Sequence, residues 1–287
     1  MRQYEYNVPE YCYFSVCRNI IERRYFVSKR GAPNVFPLYI YQEDQTQKGI
    51  QRTFGDAGID WRPGKGGRVP NLDKGFVDGV SKKIKLQFVS DGKGDLKKTF
   101  GPEDVFAWIY GVFHSPQYRE RYAEFLKIDF PRVPLPKDKK QFAQVCAVGH
   151  ELVGLHLIEA DILEAPELQP RFDIEGDMEV AAGYPKYDNG KVFVNEKQYF
   201  DGVREDVWQF MIGGYQVCEK WLKDRRGRKL SYSDVQHYQK ICVALGETIR
   251  LMADERIAIF ECPSAWQATL KIKKINSEAG CPGSRPA

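Results

Sequence analysis

The chain has 287 residues, 43% of them hydrophobic and 29% charged, a balance that places it among folded globular proteins and excludes general disorder. Its 25 glycines and 16 prolines are near average usage, which excludes collagen-like and low-complexity readings. With 43 Lys+Arg against 39 Asp+Glu the net charge is +4, too mild for bulk charge to announce nucleic acid, so local clustering must carry that question.

Seven cysteines, an odd number without a Cys-x-x-Cys pair, suit neither a disulfide framework nor a zinc ribbon, and reduced thiols in the cytosol are expected. Apolar stretches such as Val105–Phe113 fall short of the ~20 residues of a membrane span. His150 and Glu151 interrupt the longer run at 143–158. Glu5 stands where a signal peptide has a clean apolar run, so neither export nor anchoring is expected and the chain is placed in the cytoplasm.

Residues 11–41 are rich in Tyr, Phe, Val and Ile, the composition of short strands. Residues 42–100 change character, with ten glycines and many Lys and Arg, and predict loops; within them Lys82–Val89 alternates like one edge strand. From Gly101 helices dominate. Pro102 with Glu103 and Asp104 makes a first turn that suits the helix dipole, and Val105, Phe106, Ile109, Tyr110 and Phe113 follow at helical spacing. Ser115-Pro116 restarts the pattern as N-cap and first residue, with Tyr118, Tyr122, Phe125 and Leu126 as the next stripe. Pro131, Pro134 and Pro136 stop it, and a long helix is predicted after Asp138, carrying Phe142, Val145, Cys146, Leu152, Val153 and Leu155 inward.

Asn189-Gly190 between Tyr187 and Val192-Phe193-Val194 predicts a hairpin, because this pair accepts the positive φ of a tight turn. Two short helices are predicted over Arg204–Tyr215 and Gly214–Asp224, and Ser233-Asp234-Val235-Gln236 reads as a capping box ahead of a last amphipathic helix. The expected fold class is α+β: a small N-terminal mixed or antiparallel sheet with a loop-rich insert, then a mainly helical C-terminal half with a β-hairpin near 186–200. The expected parts are 1–100, 101–262 and a tail over 263–287. Phe106, Ile109, Tyr110, Tyr122, Phe125, Leu152 and Leu155 are expected in the helical core.

Catalytic patterns fail on spacing. His150 and His156 lie six residues apart, about 240° around a helix from each other, so one zinc cannot take both. Asp91-Gly92-Lys93-Gly94-Asp95 resembles half a calcium loop, but Lys93 occupies a ligand position. Gly64-Lys65-Gly66-Gly67 lacks P-loop spacing, and there is no Gly-x-Ser-x-Gly. The acids at Glu164–Glu179 read as an exposed connector. No metal and no catalytic residue is expected.

The positive charge is uneven. Arg23, Arg24, Lys29 and Arg30 frame the first sheet; Arg62, Lys65 and Arg68 sit among glycines; Lys82, Lys83, Lys85, Lys93, Lys97 and Lys98 follow. A last cluster is Lys220, Lys223, Arg225, Arg226, Arg228 and Lys229. Arg reads guanine bidentately and Lys neutralises phosphate, whereas the plain alternative for any such cluster is a solvated face.

Six blocks, Asn34–Tyr41, Val69–Leu72, Pro102–Arg119, Asp129–Leu135, Gly149–Leu157 and Gly213–Arg225, resemble in order the C-terminal specificity domain of type ISP restriction-modification enzymes and related adenine-specific DNA methyltransferases. They span most of residues 12–255. The resemblance implies a target-recognition domain for double-stranded DNA, which positions an N6-adenine methyltransferase lying before it, with a helicase and nuclease further upstream. The methyltransferase's Asn/Asp-Pro-Pro-Tyr motif and its S-adenosylmethionine glycine loop are not in this sequence. The chain alone is therefore expected to be neither enzyme nor cofactor binder, and to work with a separate methyltransferase domain or subunit, as a split, truncated or excised part. Because residues 42–100 lie between matching blocks, they are expected to carry the reading of sequence: Arg62, Lys65, Arg68 and Asn71 at base edges, and Arg23, Arg24, Lys29, Arg30, Lys82, Lys83 and Lys85 on phosphates. The alternative is a docking subunit or remnant acting through protein contacts, with Trp108, Trp208 and Trp221 facing the partner.

Overall fold

The computed structural model describes residues 14–19, 34–41, 67–128 and 130–258. They fall into two units, one of residues 34–41, 67–106 and 132–139, the other of residues 14–19, 107–131 and 140–258. The tail expected over 263–287 and most of the first expected sheet, residues 11–13 and 20–33, lie outside the described residues.

In the first unit Tyr39–Tyr41 (β1) pairs antiparallel with Arg68–Pro70 (β2), Tyr41 opposite Arg68. Asp73 caps the helix Lys74–Ile84 (α1), its carboxylate accepting from the Phe76 amide at 2.9 Å. Phe76, Val77, Val80 and Ile84 form its buried stripe. The edge strand expected over Lys82–Val89 is thereby corrected. Ile84 completes a helical face begun at Phe76, Lys85 ends the helix in the left-handed region at φ 57° and ψ 41°, and only Gln87–Phe88 (β3) is extended. Strand β3 pairs in parallel with Thr99–Phe100 (β4). Asp104, 1% exposed, accepts from the Gly94 amide at 2.7 Å and the Gly101 amide at 2.8 Å, which fastens the 89–98 loop to the start of the helix Pro102–His114 (α2).

The second unit takes up α2 from Ala107. Ser115 caps Pro116–Arg121 (α3) as the sequence predicts, and Ala123–Ile128 (α4) and Lys139–His156 (α5) follow. Tyr110, Tyr122, Leu152 and Leu155 are buried as expected, with Phe106 and Ile109 half-buried. Phe125, however, is 49% exposed and Leu126 turns inward instead. The helix breaks at Tyr122, where φ is −107°, so a stripe counted continuously from Tyr118 loses phase there. Helices α2 and α5 cross at glycines: a Cβ on Gly149 would stand 1.9 Å from the Ala107 carbonyl oxygen. Gly149→Ala is expected to destabilise the chain by about 3 kcal/mol, through helix separation that no rotamer relieves. Gly154→Ala, whose nearest new neighbour is at 3.6 Å, should be neutral or mildly stabilising. Equal denaturation midpoints for the two variants would show that the crossing is not that close.

Beyond α5, Arg171–Phe172 (β5), Lys186–Asp188 (β6), Lys191–Phe193 (β7) and Tyr199–Asp201 (β8) form an antiparallel sheet in the order β5-β8-β7-β6. Asn189 at φ 45° and Gly190 at φ 82° make the predicted hairpin turn. The two helices expected over Arg204–Tyr215 and Gly214–Asp224 are shorter than predicted. Glu205–Trp208 (α6) gives way to Met211–Ile212 (β9) and Tyr215–Gln216 (β10), and Val217–Lys223 (α7) follows. Two successive positive φ values, 58° at Gly213 and 87° at Gly214, build a hairpin turn that no helix can pass through.

The long helix Tyr232–Met252 (α8) precedes Glu255–Ala258 (α9). Its capping box uses Ser231 rather than Ser233: Ser231 Oγ accepts from the Asp234 amide at 3.1 Å, and the Asp234 carboxylate accepts from the Ser231 amide at 3.0 Å. Ser233 and Gln236 have the same three-residue spacing, but the helix starts at Tyr232, so Ser231 is the N-cap and Ser233 already lies in the first turn. The sheet packs on α8 through Phe200 and Tyr238, with ring centroids 4.4 Å apart, and Leu222, Leu230 and Leu245 complete that core. The class is α+β, as expected. Among the described residues no helix is long and apolar enough to cross a membrane.

Candidate nucleic-acid interface

The pairing of Tyr41 with Arg68 brings the two ends of the interval 42–66 to one point, so the first unit holds that interval by a closed root. Arg62 and Lys65 belong to the interval and, with Arg23, Arg24, Lys29 and Arg30, lie outside the described residues. The root is tightly tied. Arg68 Nε donates to Asp91 Oδ1 at 2.8 Å, and its guanidinium lies 4.1 Å over the Tyr39 ring. The hydrogen bond to Asp91 holds its proton more firmly still, raising an already high pKa. Tyr39 accepts from the Gly92 amide at 2.9 Å through its hydroxyl, whose pKa burial raises. The Asn71 amide donates to Leu38 O at 2.8 Å and its side chain donates to Pro37 O at 3.0 Å. Arg68 and Asn71 thus make intramolecular contacts that fix the ladder. Asp91, the partner of Arg68, lies 23 residues away and no local pattern marks it.

Lys82 and Lys83 extend from the last turn of α1 and Lys85 from its left-handed end; all three are exposed. The Gln87 amide donates to Lys98 O at 2.9 Å, so the β3–β4 pair carries Lys97 and Lys98 beside the end of α1. Asp95 shapes their loop. Its Oδ1 accepts from the amides of Lys97, Lys98 and Thr99 at 2.9, 2.7 and 2.8 Å, and these bonds hold its carboxyl well below the usual range. Lys82, Lys83, Lys85, Lys93, Lys97 and Lys98 make no ion pair among the described residues. Cations held out of ion pairs leave a local positive potential, reduced by the ionised Asp95 carboxylate in the same loop, and such a potential attracts polyanions.

The other basic cluster is largely paired with acids, four of its six cations. Lys220 pairs with Asp224, Lys223 with Glu219 at 2.7 Å, and Lys229 with Asp177. Arg225 contacts Asp234 at 3.2 Å and lies 3.4 Å over the Trp221 ring. Arg226 and Arg228 donate to the carbonyls of Tyr184 and Asp224. The three tryptophans of the alternative reading form no exposed face: Trp108 is 0% and Trp208 9% exposed, and the Arg225 guanidinium lies over the Trp221 ring.

His150 and His156 do not converge. The His156 ring is held between the Tyr110 hydroxyl at 2.6 Å and Thr248 Oγ1 at 2.8 Å. The acids of 164–179 are mostly exposed, with Glu164 on Lys240. Among the described residues no group of three or more His, Cys, Asp or Glu is placed to hold a metal.

A family model described as the Type ISP C-terminal specificity domain matches residues 9–254. No curated protein matches the sequence. Among solved structures, the ATP-dependent Type ISP restriction-modification enzyme LlaBIII bound to DNA aligns with a TM-score of 0.51 at 18% identity, over 79% of this chain and 14% of that one. A nuclease-deletion mutant of the Type ISP enzyme LlaGI with a DNA substrate mimic gives 0.39 at 22% identity, over 52% of this chain and 13% of that one. A DrdV–DNA complex gives 0.41 at 22% identity, over 54% and 18%. The chain thus spans about a seventh of the first of these enzymes, and at such identity the likeness is one of fold.

Proposed function

Because the chain belongs to the family of Type ISP C-terminal specificity domains, we propose that it is the part of a cytoplasmic restriction-modification enzyme that reads double-stranded DNA and places an N6-adenine methyltransferase, with its S-adenosylmethionine, on the site. The observation that carries the DNA-facing assignment is the contrast between the two basic clusters. In the Lys220–Lys229 cluster four of six cations are paired with acids, whereas Lys82, Lys83, Lys85, Lys97 and Lys98 have no such pairing among the described residues and keep their charge for phosphates. The interval 42–66, with Arg62 and Lys65, then carries the base-reading groups, and Arg68 and Asn71 hold its root in register. Arg23, Arg24, Lys29 and Arg30 are further phosphate ligands in this reading.

Selection from a random duplex pool tests the sequence-reading role. The chain, alone or with its methyltransferase, should enrich one motif over bulk DNA; enrichment of nothing but length or charge density would contradict it. Incubated alone with labelled S-adenosylmethionine and mixed-sequence DNA, the chain should incorporate no label. Incorporation that co-purifies with the chain through several columns would overturn its assignment as a recognition part.

A further inference from the structure

We propose that the second unit carries a binding site for a small, neutral, planar bicyclic heteroaromatic compound, held with an N–H donor toward His114. The site is a cavity of about 240 Å³ bordered by Phe14, His114, His156, Leu155, Ile241 and Ala244, with Met211, 40% exposed, also on its wall. A dry cavity of about 150 Å³ lined by aliphatic and aromatic side chains suffices for benzene. The larger volume here suits two fused rings.

The polar groups at its edge set the chemistry. Thr248 Oγ1 donates its proton to Ala244 O at 2.7 Å and therefore accepts from His156 Nε2–H at 2.8 Å. That leaves His156 Nδ1 to accept from the Tyr110 hydroxyl at 2.6 Å, so both nitrogens of this ring are occupied. His114 is different. Its Nδ1 faces the Tyr110 carbonyl at 2.8 Å, and a carbonyl only accepts, so Nδ1 carries the proton and Nε2 presents a lone pair. This residue is 4% exposed, lines the cavity, and Nε2 has no hydrogen-bond partner among the described residues. Nε2 is not sealed in, since Tyr238 Oη is the buried side-chain polar atom without a partner among the described residues, and a donor entering the cavity can bond to this nitrogen.

Other features narrow the ligand. Most of the remaining wall is aliphatic, which gives an apolar ring many contacts. The Arg119 guanidinium, 5.3 Å over the Phe14 ring, borders the same cavity and disfavours a cation. Phe14 stands edge-on to the His114 ring at 4.7 Å, so the pocket already has an aromatic wall. The proposal is independent of the DNA-reading role.

The test uses the full chain with indole as probe and 1-benzothiophene, its sulfur isostere without an N–H, as comparison. Binding is read by saturation-transfer NMR titration. Wild type should bind indole saturably and at least ten-fold more tightly than 1-benzothiophene, despite the greater hydrophobicity of the latter. Ala244→Leu, which fills the cavity, should lose at least ten-fold in indole affinity, and His114→Phe should erase the preference for indole. Absence of saturable indole binding, equal affinity for the two probes on wild type, or undiminished binding by Ala244→Leu would each overturn the proposal. Wild type and Ala244→Leu decide the matter even if His114→Phe fails to fold.

Discussion

Replacing Lys82, Lys83, Lys85, Lys97 and Lys98 together by Gln is expected to lower affinity for every duplex, cognate or scrambled, by about 10²–10³-fold near 0.1 M salt. The same change should flatten the slope of log affinity against log salt by about 4 to 5 units, because each phosphate neutralised contributes about 0.9. The physical ground is that these side chains are exposed and carry no counter-acid among the described residues, so their charge is available and their loss leaves the core intact. A matched set, Lys220→Gln, Lys223→Gln and Lys229→Gln, should alter the slope by less than about one unit, since these cations already pair with Asp224, Glu219 and Asp177. Titrations of both variants at four salt concentrations compare the two surfaces directly. Equal slopes for the two would remove the distinction on which the interface rests.

Acid is expected to destabilise the chain before its carboxylates titrate. Burial, aided by the nearby Arg119 charge, lowers His156 to about 4, and burial pushes His114 well below its usual value, with the His156 and Arg119 charges adding to it. Above pH 6.5 both rings are neutral folded or unfolded, and no penalty applies. As pH falls below 6.5 the unfolded chain takes up protons that the folded chain refuses, so stability declines until the folded pKa is reached. For His156 the loss between pH 6.5 and 5 is about 2 kcal/mol at most, the ring bordering a cavity, and His114 adds to it in the same direction. His156→Gln keeps a donor and an acceptor for Thr248 and Tyr110 and should show a shallower decline. Urea midpoints at pH 7, 6 and 5 measure this; parallel declines in both proteins would mean that His156 is not the titrating group.

Local signals were the legible part of this fold. Pro102-Glu103-Asp104, Ser115-Pro116 and Asn189-Gly190 each act within a few residues, and each structure stands where its signal predicts. Ile84, Leu86 and Phe88 misled because a short apolar alternation fits a strand and a helix end alike; the deciding residue is Asp73, eleven positions earlier, which starts the helical phase. Gly213-Gly214 reads in sequence as a break between helices, whereas two positive φ values turn a ladder. At the candidate interface the lysines were visible as residues, but their grouping was not. Lys85 and Lys97–Lys98 meet through a parallel pairing across a loop, and Arg68 is engaged by Asp91 far along the chain. Neutralisation of the other cluster was half legible: Lys220–Asp224 and Glu219–Lys223 have helical i,i+4 spacing, while Lys229–Asp177 joins distant segments.

The most direct test of the interface is lysine acetylation read by mass spectrometry, on the chain free and saturated with its selected duplex. Lys82, Lys83, Lys85, Lys97 and Lys98 should react several-fold more slowly in the complex, while Lys220, Lys223 and Lys229 react at the same rate with and without DNA. Protection of the second group with the first left fully reactive would contradict the assignment of the DNA-facing surface.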